Sequence, residues 1–206
     1  MKGFTLLEVL VALLIMLLGM LGIAGLIVRG QQAGHEAYQR QAALTMAGEM
    51  AEKIKANPSQ ALAYAAGAPA GTPVGDGTLF DLLTSFAITA CTGSDACTPS
   101  ALMTYDLATW DGQLIGAGKI RGVLTDTATA ANSVGGLLNG RGCVEELLPA
   151  PALVGGQQYR NLRVSVTWQG NMDTVAPVLS TCAAAVYDAE TRRRLVTADL
   201  TICGNC

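Results

Sequence analysis

An uninterrupted apolar stretch near the start dominates the pattern of hydrophobic and polar positions. From Val9 to Val28 the chain carries no charged residue over 20 positions. As a helix this run is about 30 Å long, which matches the hydrocarbon core of a bilayer. A cleaved secretory signal has a shorter apolar core, roughly 7–15 residues, and a small-residue cleavage site, and no such site follows here. The pattern therefore predicts a retained membrane helix.

The helical pattern continues beyond this run, but it changes from apolar on all sides to amphipathic. Four apolar residues recur at spacings of 4, 3 and 4, which places them on one helical stripe: Ala43, Ala47, Met50 and Ile54. Asn57-Pro58 ends the pattern, because the residue before a proline disfavours helical backbone. The sequence predicts one long helix, with a transmembrane part over residues 4–28 and an amphipathic part over residues 29–57.

The segment after this helix predicts a loop and a second helix. Residues 65–78 are rich in Gly and Pro, as loops are. Thr98-Pro99 is typical of an N-cap followed by the first helical residue. Four apolar residues then keep helical spacing and predict a helix over residues 99–115: Met103, Leu107, Trp110 and Leu114.

The last third of the chain is typical of strands. Residues 161–169 alternate apolar and polar side chains, which predicts a strand with one apolar face. That face carries Leu162, Val164, Val166 and Trp168. Residues 195–202 predict a second strand, and residues 119–125 predict a third. Because an amphipathic helix needs such a face as partner, the predicted fold class is α+β, a long N-terminal helix packed on a small antiparallel β-sheet domain.

Six cysteines, all outside the apolar run, predict disulfides and an oxidising compartment. They allow 15 pairings, among which the sequence does not choose. Spacing favours closing two short loops, Cys91 with Cys97 and Cys203 with Cys206, which leaves Cys143 with Cys182. Other partners stay open, chiefly because of the closely spaced pair at the C-terminus.

Composition and charge exclude one class of function. Only 14% of the residues are charged and the net charge is −3, whereas nucleic-acid binders usually present a basic face. The 13 lysines and arginines are scattered apart from Arg192, Arg193 and Arg194, which indicate a solvated strand end or turn. We therefore expect no nucleic-acid partner.

The first nine residues carry the most specific signal. They read Met-Lys-Gly-Phe-Thr-Leu-Leu-Glu-Val, with Lys2 as the basic residue before the span. Lys2 favours a cytoplasmic N-terminus, although Arg29 on the far side weakens this bias. Glu8 places a carboxylate at the edge of an otherwise apolar helix. An ionisable residue in such a place is costly, and this one is a candidate for function.

The hexapeptide Gly3-Phe4-Thr5-Leu6-Leu7-Glu8 resembles the type III signal of type IV pilins and pseudopilins. The resemblance implies a leader of residues 1–3, which a prepilin peptidase removes by cutting between Gly3 and Phe4. It further implies that Phe4 becomes N-methylated. Glu8 matches the family glutamate, whose implied role is to neutralise the amine of Phe4 on a neighbouring subunit during assembly.

Motifs in the body resemble the PilV-type minor pilins, also called type IV pilus modification proteins. These motifs are Cys91 with Cys97, residues 105–110, residues 140–144 and residues 164–170. The resemblance implies a pilin-like globular domain over residues 58–206, located in the periplasm and then in a surface pilus. The implied partners are other minor and major pilins, the prepilin peptidase, the inner-membrane assembly platform, a tip adhesin and membrane lipid.

Two other functions are weighed against the minor pilin. The first is a minor pseudopilin of a type II secretion system, which shares the N-terminal signal. The second is a membrane-tethered redox protein that uses Cys203 and Cys206. We expect no enzyme, cofactor or metal, because His35 is the single histidine and Gly116-Ala117-Gly118-Lys119 lacks the first Gly and the Ser or Thr of a phosphate loop.

Overall fold

The computed structural model describes residue 3 and residues 5–91, 97–117, 136–147, 153–154 and 157–203. Its helices are α1 Leu6–Ala56, α2 Ala61–Gly67, α3 Thr78–Thr84 and α4 Pro99–Ile115. Its strands are β1 Arg141–Glu146, β2 Leu153–Val154, β3 Gln157–Gln169 and β4 Arg193–Cys203. The chain divides into two compact units, Met1–Tyr38 and Gln39–Cys206, which are described separately.

The first unit is built from the N-terminal part of α1. Its large apolar side chains between Leu6 and Val28 are all between 49% and 85% exposed. Within the described residues, α1 is the one helix long and apolar enough to cross a membrane. An apolar surface of this extent is stable in hydrocarbon and unfavourable in water, as the sequence predicts for a membrane helix.

The second unit begins with the amphipathic part of α1, and the predicted stripe is confirmed. Its four residues are at most 1% exposed: Ala43, Ala47, Met50 and Ile54. The helix ends at Ala56, directly before the predicted Asn57-Pro58 boundary. The Asn57 side chain donates to the carbonyl of Pro99 over 2.7 Å and so ties this boundary to the start of α4.

The sheet is antiparallel, with β3 at its centre. β1 and β4 pair with β3 over most of its length, and the two-residue β2 pairs with its beginning. The predicted apolar face of β3 is confirmed, because its four residues join the stripe of α1 in one core: Leu162, Val164, Val166 and Trp168. The predicted α+β class is therefore confirmed.

Several predicted boundaries need correction. The loop predicted over residues 65–78 is shorter, because α2 continues to Gly67 and α3 begins at Thr78. The sequence did not predict β1, in which Gly142 interrupts the strand pattern. A Cβ at Gly142 would collide with the ring of Trp110, so close packing explains the glycine. The strand predicted over residues 119–125 lies outside the described residues.

The second face of the sheet is also buried. The Cys143–Cys182 disulfide holds the segment between β3 and β4 against this face. Arg193 is only 3% exposed and donates to the carbonyls of Pro177, Ser180 and Cys182. A solvated position for this arginine was therefore the wrong expectation. Since β4 pairs with the centre of the sheet, Arg193 fixes the covering segment to the core strands.

Asp111 on α4 is a buried carboxylate that organises the chain before α3. It is 0% exposed and accepts hydrogen bonds from the backbone N–H groups of Gly75, Gly77 and Phe80, at 2.5, 3.2 and 3.0 Å. Gly75 and Gly77 have φ of 114° and 90°, a backbone conformation that favours glycine. The three donors replace the water that the carboxylate loses on burial.

Replacing Asp111 by Ala removes the acceptor of three backbone N–H groups, of which those of Gly75 and Gly77 are buried. We expect Asp111→Ala to lower the free energy of unfolding by roughly 3–5 kcal/mol, because bonds to a charged group contribute more than neutral ones. Urea denaturation of the detergent-solubilised protein measures the change. Asp81→Ala is the matched control, since Asp81 is exposed and its loss should cost roughly 0.5 kcal/mol. Equal losses in both variants would contradict the role of Asp111.

Tyr187 provides a test of the covered second face at alkaline pH. Its hydroxyl donates to the carbonyl of Asn139 at 3.1 Å and contacts the hydroxyl of Thr167 at 2.8 Å. Burial raises the pKa of Tyr187 to about 12, against the lowering effects of Thr167, Arg141 and Arg193. A raised pKa means that the neutral phenol stabilises the fold, fully below pH 10 and progressively less as the pH rises through 12.

We therefore expect the wild type to lose about 2–3 kcal/mol more stability than Tyr187→Phe between pH 10 and pH 12. Urea denaturation of both proteins over this range measures the difference, and other alkaline effects cancel between them. Parallel pH profiles would show that Tyr187 ionises without cost, and thus that the second face admits water.

Candidate functional site

The candidate site is the start of α1, where a single threonine caps the helix. The Oγ1 atom of Thr5 accepts the N–H of Glu8 over 3.3 Å. Its carbonyl accepts the N–H groups of Glu8 and Val9 at 3.1 and 3.4 Å. The first N–H groups of a helix lack partners within the helix, and an N-cap side chain supplies one. Thr5 is thus the N-cap of a helix that begins at Leu6.

Glu8 lies in the first turn of α1, where the helix dipole favours a negative charge. Its side chain is exposed, and no ion pair involves it among the described residues. The apolar surface that runs to Val28 begins directly beside it. A carboxylate in this position can attract a cation strongly, because the surroundings that suit the helix have a low dielectric constant.

Of the two residues that flank the predicted cleavage site, the structure describes Gly3 but not Phe4. Gly3 is exposed and lies outside the helix. Phe4 lies outside the described residues, so cleavage before it and its methylation stay predictions. Sequence reasoning missed Thr5, although a threonine three residues before a glutamate at the start of an apolar run is a known capping pattern.

The cysteines are not brought together into one site. Disulfides join Cys91 to Cys97 and Cys143 to Cys182, two of the three pairs that spacing favours. Cys203 is also disulfide-bonded, while Cys206 lies outside the described residues. None of the five described cysteines is a free thiol.

The remaining candidate chemistry has a structural explanation where the structure describes it. Gly116 follows α4 with a φ of 76° and donates to the carbonyls of Gly112 and Gln113, which is a helix C-cap. The helix C-cap therefore explains the glycine at this position, and a phosphate-binding loop is not needed to explain it. His35 is exposed on α1. In the described part of the chain, no group of three or more His, Cys, Asp or Glu residues has the arrangement of a metal site.

Comparison with known proteins supports the assignment of the N-terminal segment. Residues 1–24 match the prokaryotic N-terminal methylation motif. No curated protein and no solved structure matches the chain. The motif coincides with the capped start of α1, with Glu8 and with most of the exposed apolar surface. Together these features support a type IV pilin-like prepilin, either a pilin or a pseudopilin, with an N-terminal helix suited to a membrane.

Proposed function

We propose that this protein is a minor pilin that enters, or primes the assembly of, a type IV pilus, with a structural and not an enzymatic role. The observation that carries the proposal is the position of Glu8. An exposed carboxylate begins a helix whose next 20 residues are uncharged, within a segment that matches the methylation motif. A carboxylate at the edge of an apolar helix suits pairing with a cation of a neighbouring helix during assembly.

The proposed chemistry begins with removal of residues 1–3 by the prepilin peptidase. The new N-terminus is the amine of Phe4, which then becomes methylated and keeps its positive charge. In a filament of packed apolar helices, Glu8 of one subunit neutralises the amine of another. A charge left alone in such surroundings is strongly unfavourable, so pairing favours insertion beside a neighbour over remaining in the membrane.

The second unit, Gln39–Cys206, also supports the proposal of a pilin-like subunit. The residues of the PilV-like motifs are mainly structural: Cys91–Cys97 is a disulfide, and Trp110, Gly142 and Trp168 pack in or against the core. They preserve a domain built on the amphipathic part of α1. This resemblance favours a pilus over a type II secretion pseudopilus, which is the second candidate.

The proposed location follows from the same features. The helix is held in the inner membrane with the N-terminus in the cytoplasm, and the disulfide-containing body is in the periplasm. The subunit then moves into a surface pilus, near the tip. Its partners are other minor and major pilins, the peptidase, the assembly platform and a tip adhesin.

The proposal is tested by mass spectrometry of sheared surface filaments and of the membrane fraction. We expect a peptide that begins with N-methylated Phe4 in both fractions. Detection in the membrane alone would favour the pseudopilin. An intact Met1 terminus in both fractions would contradict processing altogether.

Gly3→Arg should block the removal of the leader. A glycine before the cut allows the peptidase to approach the backbone closely, and a long charged side chain removes that access. We expect the variant to retain Met1 in mass spectrometry and to be absent from filaments. Gly71→Arg is the matched control, since Gly71 is exposed with open space around it, and this variant should be trimmed normally. A trimmed Gly3→Arg product would show that the cleavage site lies elsewhere.

Glu8→Ala should leave membrane insertion and leader removal intact but reduce incorporation into filaments. Loss of one partner of a buried ion pair costs roughly 3–5 kcal/mol, so we expect at least a tenfold lower recovery in sheared filaments. Quantitative immunoblotting of filaments against total membrane protein measures it. Glu52→Ala is the control, because Glu52 is an exposed carboxylate of the same helix that pairs with Lys55. Normal recovery of Glu8→Ala would exclude the neutralising role.

A further inference from the structure

We propose that β4 is a binding edge for an extended segment of another protein, which adds to the sheet as a further antiparallel strand beside residues 195–202. Strand addition to an open sheet edge is a recurring mode of recognition, in which backbone hydrogen bonds supply affinity and side chains supply specificity. This edge belongs to the second unit, so the inference does not rest on the function proposed for the N-terminal segment.

The backbone groups of β4 point alternately towards β3 and away from it. The N–H of Gly170 donates to the carbonyl of Arg192 over 2.8 Å, and the register of this pair continues without a bulge through all of β4. In an antiparallel ladder every second pair of residues exchanges hydrogen bonds, and the residues between them turn their N–H and C=O groups away. Within residues 195–202, four residues therefore present both groups at the outer edge: Leu195, Thr197, Asp199 and Thr201.

The two outer edges of the sheet differ in how these groups are paired. On β1, the N–H of Gly142 donates to the carbonyl of Val74 at 2.8 Å, and the N–H of Val74 donates back at 3.0 Å. Among the described residues, no backbone group outside β3 pairs with residues 195–202. Asp199 and Thr201 are exposed at this edge. Because its outward groups recur at every second residue, about 7 Å apart, an extended backbone is what matches them.

The open edge also lacks the features that prevent one sheet from pairing with another. Natural edge strands are commonly interrupted by a proline or a bulge, or they carry lysine. Residues 195–202 contain none of these, and their one charged residue is Asp199. Arg163 neutralises this charge, since its Nε and Nη2 atoms donate to the two carboxylate oxygens at 2.7 and 2.8 Å. An edge of this kind favours pairing with another strand.

The core face of β4 specifies one half of the partner's pattern. Val196, Leu200 and Ile202 lie on this face and are 5–8% exposed, and Ala198 is partly buried against the same core. A strand added beside them places every second side chain at the border of this core. The partner strand therefore carries apolar residues at these positions.

The opposite face of β4 specifies the other half and argues for a different protein. The side chain of Asp199 is 52% exposed, so a basic residue beside it is favoured and an acidic residue is repelled. A second copy of β4 offers no exposed cation on this face, because Arg193 is buried against three backbone carbonyls. The partner is therefore a strand with alternating apolar and polar residues and a lysine or arginine among the polar ones.

Photo-cross-linking of the full-length protein in its native cells tests the proposal. Benzoylphenylalanine replaces Leu195, Thr197 or Thr201 in turn, and mass spectrometry locates the residue to which each probe becomes attached. Neighbouring antiparallel strands run in opposite directions with a fixed register. We therefore expect the attachment point to move backwards along the partner by as many residues as the probe moves forwards along β4.

Thr197→Pro distinguishes backbone pairing from a side-chain contact. The N–H of Thr197 points away from β3, so a proline there removes an edge donor without removing a hydrogen bond to β3. With the probe at Thr201, we expect Thr197→Pro to lower the cross-linking yield at least about tenfold. The matched variant Thr197→Val keeps the N–H and should change the yield less than about twofold. Thr197→Lys keeps every backbone bond and should also lower the yield, because lysine protects natural edges.

Hydrogen exchange of the detergent-solubilised protein tests the open edge without a partner. The outward N–H groups of Thr197, Asp199 and Thr201 should exchange at least about tenfold faster than those of Ala198 and Leu200, which bond to β3. Equal protection of both sets would show that the edge is already paired within the chain, and would overturn the proposal.

The cross-linking outcomes decide the identity of the occupant. An absence of cross-links from all three positions would show that nothing occupies the edge. Attachment to lipid, attachment points that do not reverse direction, or an equal loss of yield in Thr197→Val and Thr197→Pro would exclude strand pairing. Attachment to β4 of a second copy would replace the proposed partner by a homodimer.

Discussion

The first unit depends on the need to satisfy every backbone polar group without water. In hydrocarbon an unpaired N–H or C=O costs several kcal/mol, and a continuous helix removes this cost for all residues except those at its ends. The first four N–H groups of α1 lack partners within the helix, and they lie next to an apolar surface that favours hydrocarbon over water. Thr5 satisfies one of these groups by binding the N–H of Glu8. The capping hydroxyl thus lies directly before Leu6, the first residue of the helix.

The second unit meets the opposite problem, since water surrounds it and its stability comes from burial. The small side chains of Ala43 and Ala47 let the backbone of α1 lie close to the core, which larger residues such as Trp110 and Trp168 fill. β3 is covered on both faces, by the α1 core on one side and by the Cys143–Cys182 segment on the other. This makes β3 the element that both halves of the unit share.

Periodicity predicted the elements that have one apolar face. The stripe of α1, the helix over residues 99–115 and the alternation in β3 each repeat often enough to be recognised from local sequence. The sequence did not predict β1, because its Gly142 is required by the ring of Trp110, more than 30 positions earlier in the chain. The sequence did not predict the burial of Arg193, for a similar reason. Its partners are carbonyls of a separate segment, and no local pattern records which carbonyls will be close.

At the candidate site, too, the features that depend on neighbouring residues in the sequence could be predicted, and those that depend on distant groups could not. Gly3 and Glu8 were predicted from a motif, and the cap at Thr5 was available in the same six residues through its spacing to Glu8. In the proposed assembly the cation that pairs with Glu8 belongs to a neighbouring subunit, so contacts within one chain do not include it.

The two halves of the capping box differ in a way that bears on assembly. In a complete box the glutamate side chain would bind back to the N-cap N–H and be occupied. Here the backbone N–H of Glu8 is bound by Thr5, whereas its carboxylate is exposed and makes no hydrogen bond or ion pair among the described residues. Thr5 alone caps the helix, which leaves the charge of Glu8 available to another subunit. In the proposed assembly, the same short segment begins the helix and still presents an unpaired carboxylate to the amine of a neighbouring subunit.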